Sequence, residues 1–240
     1  MARARRLPRP LFLALAALLV TASIAVGFRA LVKARCLAVT GPLVCRVETP
    51  QRRVALSFDD GPSPRGVEAV LPLLARHRAR ATFFVIGQSV EEHPEATRAI
   101  AEAGHEIGNH SFWHSRMVGL ESQPYLEELE RTDLALAQLG IAKPRWMRPP
   151  YGAKFIGLGD AVDANGQTMV MWDVEEPSRA DTPESYARDL LAQVRPGSII
   201  LIHPMSSLRE LEREALPLVL EGLDADGYEI VSVGELIDGR

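Results

Sequence analysis

Ala55-Leu56-Ser57-Phe58-Asp59-Asp60-Gly61-Pro62 closes an apolar run with two adjacent carboxylates, then with glycine and proline. Val54, Leu56 and Phe58 alternate, so a strand here is expected to bury one face. The chain has to turn at Asp60-Gly61-Pro62, because glycine tolerates unusual dihedrals and proline donates no ladder hydrogen bond. Asp59 and Asp60 then stand at the carboxyl end of a strand, where α/β proteins carry their chemistry. Taken alone, Asp-Gly reads equally well as turn punctuation. The rest of the chain has to decide.

Outward from this strand, helix-like and strand-like stretches alternate. A helix is expected over Val67–His77, then a buried strand at Ala81–Ile86, a helix over Glu92–Ala103 stopped by Gly104, and a short strand at Glu106–Gly108. Leu126, Leu129, Leu136 and Leu139 share one face of a helix over Tyr125–Leu139. Strands follow at Arg145–Arg148 and Thr168–Val174, then a helix over Pro183–Val194. Ser198–His203 is nearly all apolar and reads as a central strand buried on both faces. A helix over Arg209–Asp226 and a strand at Glu229–Val233 finish the chain. Such alternation predicts a parallel sheet, open or closed into a barrel. About seven strands over residues 52–236 would make a small, distorted (β/α) barrel.

The amino-terminal stretch obeys different rules. Leu11 to Gly27 is apolar or small throughout and follows Arg3, Arg5, Arg6 and Arg9. It is just long enough to cross a bilayer core of about 30 Å, and the arginines ahead of it favour a cytoplasmic amino end. A cleaved signal peptide competes, with Ala25 and Gly27 as small residues; the length of the run favours an uncleaved anchor. Either way the remainder lies outside the cytoplasm, anchored or secreted. The sequence thus divides into an anchor (residues 1–27), a linker broken by Gly41-Pro42 and Pro50 (28–50) and a globular domain (51–240). Residues 1–35 hold seven of the 27 basic side chains and no acid, leaving 20 against 31 acids, a formal −11. A domain so acidic is no nucleic-acid partner, and nothing in it points to a protein partner. Cys36 and Cys45 are the only cysteines. In an oxidising compartment they are expected to close a small disulfide loop, and cysteine catalysis is excluded.

Three further stretches carry chemistry. His110 and His114 are four apart, so one helical turn would place both imidazoles on one side. Two histidines and a carboxylate form a common divalent-metal set, with zinc favoured and one position left for water. Arg148-Pro149-Pro150-Tyr151-Gly152 has two prolines that fix extended backbone, leaving the Tyr151 and Gly152 amides free for a ligand. Arg148 is the cation that Asp59 and Asp60 require. His203 ends the apolar strand, either as a satisfied core residue or as a titrating group at the mouth of a site. His77 and His93 receive no role, and His105 reads as structural.

Together, Ser57–Pro62, His110-Ser111-Phe112-Trp113-His114, Arg148–Gly152 and Leu201-Ile202-His203 resemble, in order, the signature motifs of the polysaccharide deacetylases of the NodB-homology type, carbohydrate esterase family four. The resemblance implies a distorted barrel and hydrolysis of the N-acetyl groups of a cell-envelope glycan such as peptidoglycan, chitin or poly-N-acetylglucosamine. It implies that Asp60, His110 and His114 bind one divalent ion, zinc being favoured. Asp59 would be the base, Arg148 its ion-pair partner, the Tyr151 backbone amide an oxyanion donor and His203 the general acid. Glu175 would orient His203. One motif departs from the family: its usual Asp-Trp pair is replaced by Ser178 and Arg179, so an aromatic wall is missing or comes from elsewhere. That departure keeps open an amide hydrolase acting on a formyl group of a lipid-linked sugar or on a non-sugar amide. An inactive carbohydrate-binding module fits least, because every reacting side chain is present.

Overall fold

The computed structural model describes residues 9–206 and 208–239. Arg3, Arg5 and Arg6 of the expected basic flank lie outside the described residues. The chain separates into two units, the first ending at Ala34 and the second beginning at Arg35. The first unit is helix α1, Arg9–Lys33, whose leucines from Leu11 to Leu19 and whose phenylalanines are exposed. At about 1.5 Å per residue its 25 residues are long and apolar enough to cross a membrane.

The second unit begins with the Cys36–Cys45 disulfide and strand β1, Leu43–Val44, both within the stretch read as a linker. Then come β2 (Arg53–Gly61), α2 (Pro64–Arg76), β3 (Ala81–Val85), α3 (Gly87–Glu92), α4 (Pro94–Glu102) and β4 (Glu106–Asn109). They are followed by α5 (Gln123–Gln138), β5 (Trp146–Met147), a 3₁₀ turn at Pro150–Gly152, α6 (Ile156–Ala164), β6 (Thr168–Val170) and β7 (Val174–Glu175). The last elements are α7 (Pro183–Leu191), β8 (Ile199–Ile202), α8 (Glu210–Ala225), β9 (Glu229–Val231) and α9 (Val233–Asp238).

All the ladders between these strands are parallel, in the order β1-β6-β5-β4-β3-β2-β8-β7, with β9 alongside the start of β2. Only Met171–Asp173 separate β6, near one end of this path, from β7 at the other. Three residues span roughly 10 Å at most, so the sheet has to curl until its ends approach. The result is a half-closed barrel, the distorted parallel architecture expected, with nine strands among the described residues where about seven were read.

Two of the buried clusters follow from strand alternation. Val54, Leu56, Phe58, Ile200 and Ile202 point out under the helices, against Leu216, Val219 and Leu220 of α8. Ala55, Ile199 and Leu201 point inward with Phe84, Trp146, Val170 and Trp172. Each fully buried Phe, Ile or Leu stabilises the fold by about 1.5–3 kcal/mol. β8 is buried on both faces, as its composition predicts. β2 was expected to bury one face and instead buries both. It is the most heavily partnered strand, flanked by β3, β9 and β8, so Ser57 and Asp59 face the closed interior rather than solvent.

Candidate metal and catalytic centre

Asp59 and Asp60 lie near the carboxyl end of β2, His110 just after β4, Arg148 just after β5, and His203 just after β8. Parallel strands place all five at one mouth of the half-barrel. The two adjacent carboxylates go to opposite surroundings. Asp59 stays on the buried alternation of β2, whereas Asp60 takes a left-handed conformation, φ 65°, where the β2–β3 register slips.

Asp59 meets a fully buried arginine. Arg148 Nη1 donates to Asp59 Oδ1 at 2.8 Å, Nε donates to the Val170 carbonyl at 3.0 Å, and Nη2 to the Met171 carbonyl at 3.3 Å. Its guanidinium lies 4.1 Å from the centre of the Phe84 ring. Burial pulls the Arg148 pKa down and the Asp59 charge opposes this; an arginine remains a cation throughout.

Asp60 meets the histidines. Its Oδ1 lies 3.2 Å from His114 Nε2 and 3.6 Å from His110 Nε2. His110 Nδ1 stands 2.7 Å from the Arg148 carbonyl. A carbonyl only accepts, so Nδ1 carries a proton, and Nε2 faces Asp60 with a second proton or, when a metal ion is held, with a free lone pair. Ligand atoms of Asp60, His110 and His114 all lie within 4.8 Å of one another. One carboxylate oxygen and two imidazole nitrogens suit a divalent ion of the zinc type, with a coordination position to spare. Burial would raise the Asp60 pKa, but hydrogen bonds from His110 and His114 and the nearby His110 and His203 charges carry it far below the usual carboxylate range.

The histidines are not brought together by the helical turn that their spacing suggested. Residues 110–114 form a loop in which Ser111 and His114 both have positive φ, 63° and 55°. Asn109 Oδ1 accepts from the Ser111 amide at 2.9 Å, and Ser111 Oγ accepts from the His114 amide at 3.0 Å. Asn109 is held in turn by Asp133 of α5, to which its Nδ2 donates at 2.8 Å. Asn165 and Gln167 also donate to Asp133, at 2.9 and 3.3 Å, and Lys143 lies 3.6 Å away. Sequence reading passed over Asp133, although a signal was there. It sits at helical spacing with Leu129 and Leu136 on the buried stripe of α5, where a carboxylate needs partners.

The 148–152 segment also differs from expectation. Pro149 is extended, but Pro150 opens a 3₁₀ turn and the Gly152 amide donates to the Pro149 carbonyl at 2.9 Å, so it does not face a ligand. Tyr151 is left-handed, φ 59°, and its ring stands 4.6 Å from that of His114.

His203 has a different partner from the one expected. Its Nδ1 lies 3.2 Å from Oε1 of Glu176, a contact whose N–H direction misses the hydrogen-bond line. Glu175 instead bonds Arg35. Successive strand residues face opposite sides, and β7 pairs Glu175 with Leu201, so the next residue, Glu176, reaches the end of β8. Burial disfavours the His203 cation, but the Glu176, Asp59 and Asp60 carboxylates outweigh it and raise the His203 pKa. Burial likewise works against the Glu176 anion, and His203 and Arg209 reverse it, lowering the Glu176 pKa. Ser178 and Arg179 are exposed; aromatic surface at the mouth comes from Tyr151. His105 is structural, as read: its Nδ1 accepts from the Ala81 amide at 3.3 Å, and burial, with Arg80, pushes its pKa down to about 4.

Comparison with known proteins gives a consistent set. The polysaccharide deacetylase family model matches residues 46–170. A peptidoglycan-N-acetylglucosamine deacetylase of Listeria monocytogenes is 32% identical over 196 residues, covering 81% of this chain and 41% of that protein. The chain thus spans about two fifths of the length of the first curated relatives it matches. A peptidoglycan-N-acetylglucosamine deacetylase of Bacillus cereus is 31% identical, covering 82% of this chain and 94% of its own. Among solved structures, a pseudoenzyme of carbohydrate esterase family 4 from Bacillus anthracis aligns with a TM-score of 0.74 at 27% identity, over 83% of this chain and 70% of that one.

Proposed function

The chain belongs to the polysaccharide deacetylase family, and from that premise we propose that it hydrolyses the N-acetyl groups of an amino-sugar polymer of the cell envelope. The observation that supports this most is the division of labour between neighbours: Asp59 paired with a buried arginine, Asp60 facing two imidazoles. Asp60, His110 and His114 would hold a divalent ion, zinc by the donor set. Such an ion supplies Lewis acidity, polarising the acetamide carbonyl and acidifying water.

The chain's own groups do the rest. Arg148 engages Asp59 Oδ1, so Oδ2, 3.7 Å from His110 Nε2, is the oxygen that takes the proton from the attacking water. As the water oxygen bonds to the carbonyl carbon, the Tyr151 amide donates to the developing oxyanion. The C–N bond then breaks, and His203 gives its proton to the departing nitrogen. Glu176 positions that imidazole and favours its charged form. Acetate and a free amino sugar leave.

Helix α1 would anchor the chain, with Arg35 onward outside the cytoplasm, and the Cys36–Cys45 disulfide agrees with an oxidising compartment. The division into anchor (1–27), linker (28–50) and catalytic domain (51–240) is proposed from the sequence, although α1 continues to Lys33 and the unit that carries the centre begins at Arg35. A binding-only role is favoured by one observation, the pseudoenzyme likeness; the presence of Asp59, Asp60, His110, His114 and His203 speaks against it. Asp59→Asn separates the readings. It should lower acetate release from peptidoglycan or chitin oligomers by about 10²–10⁴-fold, measured well below the reduced Tm of a variant that leaves Arg148 without its counter-ion. Unchanged release by that variant would rule out the mechanism.

A further inference from the structure

Tyr151 and Arg116 stand together on the outer rim of this centre. Tyr151 is 48% exposed although its ring centre lies 4.6 Å from that of His114. The Arg116 guanidinium lies 4.4 Å from the centre of that ring, and Arg116 is itself exposed. Its position is held from both directions. Two residues before it, His114 takes its left-handed turn. One residue after it, fully buried Met117 forms a parallel bridge to Lys154, just beyond the Tyr151–Gly152 turn.

Other cations around the mouth are already engaged. Arg209 lies 2.7 Å from Glu212 and 3.4 Å from Glu176, and Arg131 lies 3.6 Å from Glu91. Among the described residues no carboxylate comes within ion-pair distance of Arg116, in a unit that carries an excess of acids. A guanidinium over an aromatic ring engages its face, and the N–H fork at its edge suits a carboxylate.

We propose that Arg116 and Tyr151 form a substrate subsite for a carboxylate carried by the glycan beside the acetamide being cleaved, so that acidic amino-sugar polymers are preferred to neutral ones. This rests on the deacetylase reading above. Tyr151 offers an apolar face to a sugar ring of either kind, whereas Arg116 distinguishes the two by charge. The carboxylate belongs either to a lactyl ether on the sugar or to an attached peptide.

The test uses the full chain in detergent and three oligosaccharides of equal length: neutral β-1,4-linked N-acetylglucosamine, peptidoglycan glycan stripped of peptide, and the same glycan with peptide retained. Arg116→Gln should lower the ratio of kcat/KM for acidic over neutral oligomers roughly fivefold, the scale of one exposed ion pair, chiefly through KM. Arg116→Lys should keep most of the ratio. Added salt should erode it in the unsubstituted protein and not in Arg116→Gln. A fall seen on both acidic oligomers assigns the carboxylate to the sugar; a fall only with peptide retained assigns it to the peptide. A ratio that Arg116→Gln leaves unaltered overturns the inference while the deacetylase reading stands. No acetate from any oligomer overturns both.

Discussion

Replacing Arg148 by methionine strands a carboxylate in the interior. The Arg148 side chain is wholly buried and that of Asp59 is 4% exposed, at 2.8 Å, so neither can turn to water when its partner is removed. Removing one member of a buried pair costs about 3–5 kcal/mol, because the other remains as an uncompensated charge. Arg148→Met also leaves the Val170 and Met171 carbonyls without their donors, which places the loss at the upper end. For a unit of this size about 2–4 °C of Tm accompanies each kcal/mol, so a fall of roughly 10–20 °C is expected by calorimetry of the full chain in detergent. A double-mutant cycle with Asp59→Asn isolates the pair. The combined variant should be less damaged than the sum of the singles by about 1–3 kcal/mol, since the asparagine no longer requires a cation. A loss under 1 kcal/mol for Arg148→Met, or strict additivity, would refute the claim that this pair is buried and mutually dependent.

Two further substitutions probe the surroundings. Glu176→Gln removes the anion that helps to raise the His203 pKa. A general acid works only while protonated, so activity is lost as pH rises through that pKa, and the alkaline limb of the kcat profile should move to lower pH. A limb that stays in place would mean that His203 is not the acid or that Glu176 does not hold it. Asp133→Ala removes an acceptor shared by Asn109, Asn165 and Gln167. It should cost about 1–3 kcal/mol in urea unfolding and weaken zinc binding in a chelator competition, by loosening the loop that carries His110 and His114; undiminished affinity would show that the loop holds itself.

The strands that build the centre were legible because their signals are local. An apolar run ending in Asp59-Asp60-Gly61-Pro62 and the wholly apolar Ile199–Ile202 admit few other readings. Helix α6 was not read, and for a physical reason. Gly157 and Gly159 lower its helix propensity, yet a Cβ at either would meet backbone at 2.4 Å from the Glu121 carbonyl oxygen or 2.2 Å from that of Thr40. Tertiary contact set those residues, and a single sequence does not display it. The helix read over Glu92–Ala103 is α4, which Pro94 starts after His93, whereas the short α3 ahead of it, Gly87–Glu92, was not read. The expected strand at 168–174 divides because those residues cross from one end of the sheet to the other. The displacement from Glu175 to Glu176 has the same origin. A motif specifies that an acid is present, but the β7–β8 register decides which of two neighbouring acids faces His203.

The central claim is that Asp60, His110 and His114 hold a divalent ion on which acetamide hydrolysis depends. The most direct measurement strips the full chain with a chelator and follows acetate release from peptidoglycan and chitin oligomers as zinc is restored. Release should vanish on stripping and return at about one equivalent of zinc per chain, with no return in a His110→Ala variant. Release that persists in the stripped protein, or that fails to appear at any metal concentration, would contradict the account.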